Sequence, residues 1–206
     1  MTYQKTKAKG FTLIELVITI SILVILVTIG APSFVDTLDK RQLINATQAV
    51  SSQIQMARSI ALVRNQEIQL IFNNTNEWCL GITDNLSTSD PCDCTLQATI
   101  SNDGNTISFP ANACTVGVPE PGSTERMLGS IQSNSFKGIT LEFPEDNSSI
   151  VFEPSRGLLN DPPEPVLEYT LTSARDKKTI VSVNVVGRVK ACADEESLIG
   201  GIGQCN

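Results

Sequence analysis

Apolar residues fill one long stretch near the start of the chain. Residues 11–31 carry a single ionisable side chain, Glu15, and residues 1–10 before them carry three lysines and no acid. About 20 apolar residues are enough for a helix to cross the hydrocarbon core of a bilayer, and flanking lysines keep the preceding segment in the cytoplasm. The pattern therefore predicts a membrane-spanning helix over 11–31, with everything after Pro32 outside the cytoplasm.

The following stretch, 32–65, has the pattern of an amphipathic helix. Its apolar side chains recur at spacings of three and four residues: Leu43, Ala46, Val50, Ile54, Ala57 and Ala61. Together the two stretches predict one helix from Phe11 to about Asn65, roughly 80 Å long at 1.5 Å per residue. Because Pro32 cannot donate to the helix ladder and clashes with the preceding turn, we expect a bend or melting point at Gly30-Ala31-Pro32.

Beyond Asn65 the pattern changes to short β-prone runs separated by turn-forming residues. The runs are EIQLIF from Glu67, EWCLGIT from Glu77, TISF from Thr106, SFKGITLEF from Ser135, SIVF from Ser149, LEYTLTS from Leu167 and TIVSVNVVGRVK from Thr179. The last two predict an antiparallel hairpin. The Asn-, Ser-, Gly- and Pro-rich segments 84–93, 101–105, 110–124 and 160–165 are predicted loops. One helix laid across an antiparallel sheet gives an α+β fold, with residues 66–206 as its head domain.

Composition and charge exclude several functions. With 15 Lys and Arg against 22 Asp and Glu, the net charge of −7 argues against a general nucleic-acid coating protein. The chain has no histidine, which excludes Ser-His-Asp and Cys-His catalysis and imidazole-ligated zinc. Carboxylates alone support acid–base catalysis, but no pair stands at a recognisable spacing. We therefore expect no enzyme activity, no cofactor and no metal.

Glu15 is the one charge inside the apolar stretch. A carboxylate there costs about 2.5 to 3.5 kcal/mol on insertion scales, so it calls for a partner unless it reaches the interface. A cut between Gly10 and Phe11 would create an α-amino group able to pair with Glu15 of a neighbouring subunit. A secretory signal is cut after its apolar run, whereas here the small-residue junction, Gly10, precedes it.

The segment KGFTLIEL, Lys9 to Leu16, followed by an apolar helix, closely resembles the class III signal of type IV pilins and type II secretion pseudopilins. The resemblance implies a type IV pilin fold. It also implies that a prepilin peptidase removes residues 1–10 by cutting after Gly10 and methylates Phe11, that Glu15 is the family's glutamate, and that Pro32 is its helix-kinking proline. The implied location is the bacterial inner membrane, single-pass with a periplasmic head, in contact with an assembly platform and other major and minor pilins.

Four internal motifs are similar to the GspH/FimT/FimU group of minor pilins and pseudopilins: MARSIALVRNQEIQLIF (56–72), EWCLG (77–81), VFEPSRG (151–157) and VVGRVKAC (185–192). The similarity implies a minor pilin that helps initiate type IV pilus assembly, at or near the tip, and supports twitching motility and surface adhesion. Two alternatives stay open. One is a GspH-like minor pseudopilin of a type II secretion system, and the other is a FimT-like DNA-binding pilin for natural transformation. Within EWCLG, Trp78 is expected in the core rather than on a ligand platform.

All six cysteines follow the membrane span, and an even number outside the cytoplasm is typical of disulfides. Cys192 and Cys205 bracket a glycine-rich tail and are expected to pair. The pairing of the other four stays open at this point: Cys79, Cys92, Cys94 and Cys114. A metal or redox site at Cys92-Asp93-Cys94 is the alternative, but C-x-C without a second spaced pair is a weak ligand signature.

Arg188 and Lys190 in the segment GRVK resemble the GRxR element through which FimT-type pilins are thought to bind DNA, with lysine in the last position here. Nearby basic residues, Arg175, Lys177 and Lys178, would extend a basic stripe on the same hairpin, whereas the acidic segment 194–196 would repel phosphates. A solvated hairpin whose charges balance locally is the simpler interpretation. We expect a role in assembly rather than in DNA contact.

Overall fold

The structure is a computed structural model that describes residues 10–74, 77–86, 91–96, 99–100, 107–108, 110, 112–117, 127–143, 149–162, 164–195, 197 and 199–205. The predicted leader lies outside these residues except for Gly10. The predicted run from Thr106 is described only at 107–108. The chain divides into two compact units, Met1–Leu38 and Asp39–Asn206.

One helix, α1, spans Leu13–Arg64 and contributes to both units. It begins after Thr12, whose Oγ1 accepts a hydrogen bond of 3.3 Å from the Glu15 N–H. This side-chain cap satisfies one of the free amides of the first turn. The backbone is helical through residues 30–32, so the structure has no melted turn there, and a bend remains a prediction. The helix ends one residue before Asn65, which takes a left-handed φ of 53°.

The second unit contains twelve strands among the described residues. They are β1 Ile68–Asn73, β2 Cys79–Thr83, β3 Thr99–Ile100, β4 Ile107–Ser108, β5 Thr115–Val116, β6 Met127–Leu128, β7 Ser130–Gln132, β8 Thr140–Glu142, β9 Ser149–Phe152, β10 Val166–Thr172, β11 Lys178–Asn184 and β12 Val189–Ala193. A 3₁₀ turn covers Ser133–Ser135. The α+β class is confirmed.

These strands form two four-stranded antiparallel sheets, where the sequence predicted one. The first has the order β7-β2-β1-β9 and the second β12-β11-β10-β8, and two small ribbons pair β3 with β4 and β5 with β6. The predicted hairpin is confirmed, because β10 pairs with β11 in antiparallel register. The second sheet therefore consists of this hairpin extended by one short strand on each side.

The core joins the second half of α1 to both sheets. The six apolar helix positions predicted to face the sheet are all fully buried, which confirms the amphipathic pattern. In the same core, Tyr169 stacks on Phe72 with ring centroids 4.5 Å apart. Buried hydroxyls of Thr47 on the helix and Thr179 on β11 lie 2.7 Å apart. Trp78 is also buried and donates from Nε1 to the Ile139 carbonyl, so the expectation of a core tryptophan is confirmed.

Two of the predicted strands are shorter than expected. The run from Thr179 divides into β11 and β12 because Gly187 takes a left-handed φ of 72°. The turn is closed by the Arg188 N–H, which donates to Asn184 Oδ1, and by the Asn184 N–H, which donates to the Arg188 carbonyl. The run from Ser135 forms a strand only at Thr140–Glu142, since Gly138 also has a positive φ.

Three disulfides are present, and no cysteine is free. Cys79 bonds to Cys94 and Cys92 to Cys114, and these four side chains form a buried cluster with Ile71 of β1. The third bond joins Cys192 to Cys205, the pair expected from the sequence. It holds the tail against β12, where the Ala193 N–H donates to the Gly203 carbonyl and the Cys205 N–H donates to the Ala193 carbonyl.

Candidate functional site

The first unit presents apolar side chains to its surroundings on every side. Among the described residues, no part of the most apolar 18-residue window of the helix is buried. Phe11 is 83% exposed and Leu13 80%. Such a surface needs a lipid phase or other apolar helices around it.

The hydroxyl groups inside this apolar stretch are satisfied within the helix itself. Thr19 donates to the Leu16 carbonyl, Ser21 to the Val17 carbonyl and Thr28 to the Ile25 carbonyl. Hydroxyls that bond back to the preceding turn need no water. The first unit can therefore enter a hydrocarbon phase without leaving these groups unpaired.

Glu15 lies in the first turn of α1 and is exposed. Thr12 and Glu15 have the spacing of a capping box, a local start signal for the helix that is readable from the sequence. A carboxylate at this end of a helix also meets the positive end of the helix dipole. No ion pair of Glu15 forms within the part of the chain that the structure describes. Its pairing with the Phe11 amine of another subunit remains a prediction.

In the second unit, three of the motifs meet at one point. Arg58 of α1 donates from Nε to the Gly157 carbonyl at 3.0 Å. A Cβ placed on Gly187 would lie 2.5 Å from that carbonyl oxygen and 2.9 Å from Arg58 Nε. The GRVK turn can come this close to the VFEPSRG loop only with glycine at position 187. The helix, this loop and this turn are therefore tightly packed against one another.

Arg188 and Lys190 both lie at this end of the second sheet. Arg188 is exposed in the turn, and Lys190 is exposed on β12 opposite Ser182 of β11. Arg175 and Lys177 precede the other end of β11, and Lys178 is its first residue, so a basic stripe that joins them to Arg188 and Lys190 would run the length of the hairpin and stays a prediction. That strand has seven residues, so the two ends are roughly 20 Å apart at about 3.4 Å per residue.

The acidic residues that follow β12 lie at the far end as well. The Asp194 N–H donates to the Lys178 carbonyl at 3.1 Å. Four residues of extended chain, roughly 14 Å, separate this position from Lys190. This distance exceeds a Debye length of about 8 to 10 Å, so the described residues Asp194 and Glu195 repel a phosphate at Lys190 only weakly, and the expected repulsion of phosphates by the segment 194–196 stays a prediction.

An open groove lies between α1 and the start of β12. Its lining residues include both arginines and no acid: Gln55, Arg58, Ser59, Leu62, Gly187, Arg188 and Val189. Arg58 was missed as a member of this site, although it lies in the MARSIAL motif. Sequence periodicity places it beside the apolar stripe and does not show which loop it meets.

Among the described residues, no three Asp, Glu or Cys side chains lie close enough together to hold a metal ion. Cys92 and Cys94 are both in disulfides, each with a different partner. The C-x-C segment is thus committed to cross-links in this structure and has no free thiolate for a metal or for redox exchange.

Two family models match the chain. The model described as Prokaryotic N-terminal methylation motif matches residues 5–31. The model described as Type II transport protein GspH matches residues 46–187.

Relatives were found both by sequence and by structure. The type IV narrow pilus major component PilA5 of Thermus thermophilus is 47% identical over 58 residues, which are 28% of this chain and 49% of PilA5, so the match spans about half of that relative. The Pseudomonas aeruginosa type IV minor pilin FimU covers 75% of this chain and 94% of its own, at 14% identity and a TM-score of 0.45. The Vibrio cholerae minor pseudopilin EpsH covers 74% and 97%, at 10% identity and a TM-score of 0.39.

Proposed function

Because this chain belongs to the GspH family of type II transport proteins, we propose that it is a minor pilin that helps initiate assembly of a type IV pilus, at or near the tip. Family membership and the N-terminal methylation motif make it a pilin-like, membrane-anchored filament subunit. The similarity to a type IV pilus component over 58 residues favours a pilus over a secretion system. In this role the protein supports twitching motility and surface adhesion.

One observation carries the proposal: no part of the most apolar window of α1 is buried, and the single carboxylate of the apolar stretch 11–31, Glu15, stands at its start. A prepilin peptidase would cut between Gly10 and Phe11 and methylate the new amine. That amine keeps its positive charge and would pair with Glu15 of a neighbouring subunit. Pairing removes the cost of a bare carboxylate in an apolar phase, so a helix in the correct register is favoured over a misplaced one.

Apolar packing would then hold the subunit in the filament. The side chains exposed along the helix would leave lipid for the helices of other pilins, while the head domain folds around its own core. The inner-membrane assembly platform would move the subunit from the membrane into the growing filament. Pro32 would bend the helix between its two halves.

A deletion strain tests this function and separates its alternatives. We expect loss of surface pili and twitching with protein secretion intact, and recovery on complementation. Lost secretion with normal piliation would instead identify a pseudopilin of a type II secretion system. As a matched pair, Glu15→Ala should fail to restore piliation, whereas Glu142→Ala, which removes an exposed carboxylate of β8, should restore it.

DNA uptake is the second candidate, and the groove described above is the observation that favours it. Arg58 and Arg188 line this groove, Arg188 and Lys190 line a neighbouring one, and neither has an acid among its described lining residues. Binding through phosphate contacts must weaken steeply as salt rises. Salt-dependent DNA affinity that is lost in an Arg188→Ala, Lys190→Ala variant with normal piliation would favour uptake over assembly.

A further inference from the structure

β12 is an edge strand whose outer side is only partly covered. In the second sheet it pairs with β11 alone. Only alternate residues of β12 bond to β11 in an antiparallel ladder. The bonds of Arg188 to Asn184 and of Asp194 to Lys178 show that these are the even-numbered residues. The backbone groups of Val189, Ala191 and Ala193 therefore point away from β11. The tail satisfies Ala193 through Gly203 and Cys205. Among the described residues, nothing bonds to the outward N–H and C=O of Val189 and Ala191.

These two free positions face a continuous groove. Its first part, beside Val189, is the arginine-containing groove described above, and its second part lies between α1 and the residues Ala191, Gly201, Ile202 and Gly203. Gln55 lines both parts, which joins them along one side of the helix. The opposing wall is polar and exposed, with Gln48 and Ser52. A single extended strand would therefore meet backbone partners on one side and side-chain partners on the other.

We propose that this groove binds an extended, acidic segment of a partner protein, which adds a strand to the free edge of β12. The tail already pairs with the same edge at Ala193, so the edge accepts a neighbouring strand. Main-chain hydrogen bonds supply affinity in this mode of recognition, and flanking side chains supply specificity. This surface belongs to the second unit by itself and does not depend on the kind of filament.

Charge complementarity identifies the occupant as acidic. Arg58 and Arg188 line one end of the groove, and no described lining residue of either part is acidic. This is unusual in a chain with a net charge of −7. Carboxylates would form charge-assisted hydrogen bonds with these guanidinium groups, whereas a basic segment would be repelled.

Peptide binding to the full-length protein in detergent micelles tests the proposal. The probe is a fluorescein-labelled peptide that alternates valine and glutamate, followed by fluorescence anisotropy. We expect it to bind and to slow the amide exchange of Val189 and Ala191. An analogue with lysine in place of glutamate should not bind. An analogue with N-methyl groups on its strand-pairing amides should bind about tenfold more weakly, because it cannot donate to the edge.

Two variants of one residue separate strand addition from simple charge attraction. Ala191→Pro removes an N–H that points away from β11, a position where an edge strand tolerates proline. It should weaken the peptide by about tenfold. Ala191→Ser keeps the N–H and should bind within about twofold of the parent. Equal affinity in the two variants would overturn the proposal, provided that the fluorescence of buried Trp78 shows both to be folded.

A second pair of variants tests the contribution of charge to peptide binding, and it can be measured even if Ala191→Pro does not fold. Arg188→Gln should weaken the glutamate peptide by about tenfold, and Arg175→Gln, at the other end of the hairpin, should leave it unchanged. No measurable peptide binding, or equal binding of the glutamate and lysine peptides, would overturn the proposal. Displacement of the peptide by a DNA oligonucleotide that binds more tightly would also overturn it. Self-association that Ala191→Pro abolishes would overturn it as well, because the occupant would then be a second copy of this chain.

Discussion

Replacing Gly187 with alanine should destabilise the head domain by about 3 kcal/mol. Its left-handed φ of 72° costs a residue with a Cβ roughly 1 to 2 kcal/mol. The new Cβ would also lie 2.5 Å from the Gly157 carbonyl oxygen, and such overpacking costs about 1 to 3 kcal/mol. Alanine also lowers the conformational entropy of the unfolded chain, which stabilises the folded state by about 0.4 to 1 kcal/mol. The backbone and steric costs are larger than this gain, so the net effect is destabilising.

Gly201 is the matched control. It also has a positive φ, of 96°, but a Cβ there would meet nothing within 4 Å. Gly201→Ala therefore lacks the steric term and should cost about 1 kcal/mol. The difference between the two variants isolates the close approach of the GRVK turn to the VFEPSRG loop.

The assay is urea or thermal unfolding followed by the fluorescence of Trp78. This is the only tryptophan in the chain, and it is 3% exposed in the core. For a domain of this size, about 3 kcal/mol corresponds to a melting temperature lower by roughly 6 to 12 °C. Equal melting temperatures for the two glycine variants would refute the packing argument, and an unchanged Gly187→Ala variant would refute the conformational one as well.

Three further predictions follow from other parts of the chain. Glu15→Ala should leave the level and unfolding of the protein unchanged but reduce its incorporation into filaments, measured in sheared filament fractions; normal incorporation would contradict inter-subunit pairing. Burial raises the pKa of Tyr169 above its usual value of 10, so above pH 10 the folded state keeps a proton that the unfolded state loses. The free energy of unfolding should therefore fall by about 1.4 kcal/mol per pH unit above pH 10. A Tyr169→Phe variant that keeps the same slope would contradict this cause. Non-reducing peptide mapping should recover three linked pairs, and any other pairing would contradict the fold around them: Cys79–Cys94, Cys92–Cys114 and Cys192–Cys205.

Local patterns predicted the helix and the last hairpin. The stripe from Leu43 to Ala61 shows its period within a single segment, and β10 and β11 are joined by a short turn, so neither prediction needed a distant partner. The division into two sheets was not predictable in the same way. β1 pairs with β9, which places Ile68 opposite Phe152, and no local signal connects positions so far apart in the chain.

The same limit applies to the site and to the cysteines. Arg188 and Lys190 stand in one motif, but Arg58 joins them only because the helix packs beside the turn. Cys192 and Cys205 are close in sequence and bracket one loop, which made their pair predictable. The pairing of the other four depends on how the segment around Cys92 and Cys94 packs against Ile71 of β1 and Cys79 of β2, and this tertiary packing leaves no local signal in the sequence.

The N-terminus of the chain in purified filaments tests the central claim most directly. We predict that mass spectrometry of sheared surface filaments detects this protein and that its first residue is a methylated Phe11, since the claim is that the apolar helix enters a filament after processing at Gly10. A protein found only in the membrane fraction, with Met1 as its first residue or with a terminus created beyond Ala31, would contradict it.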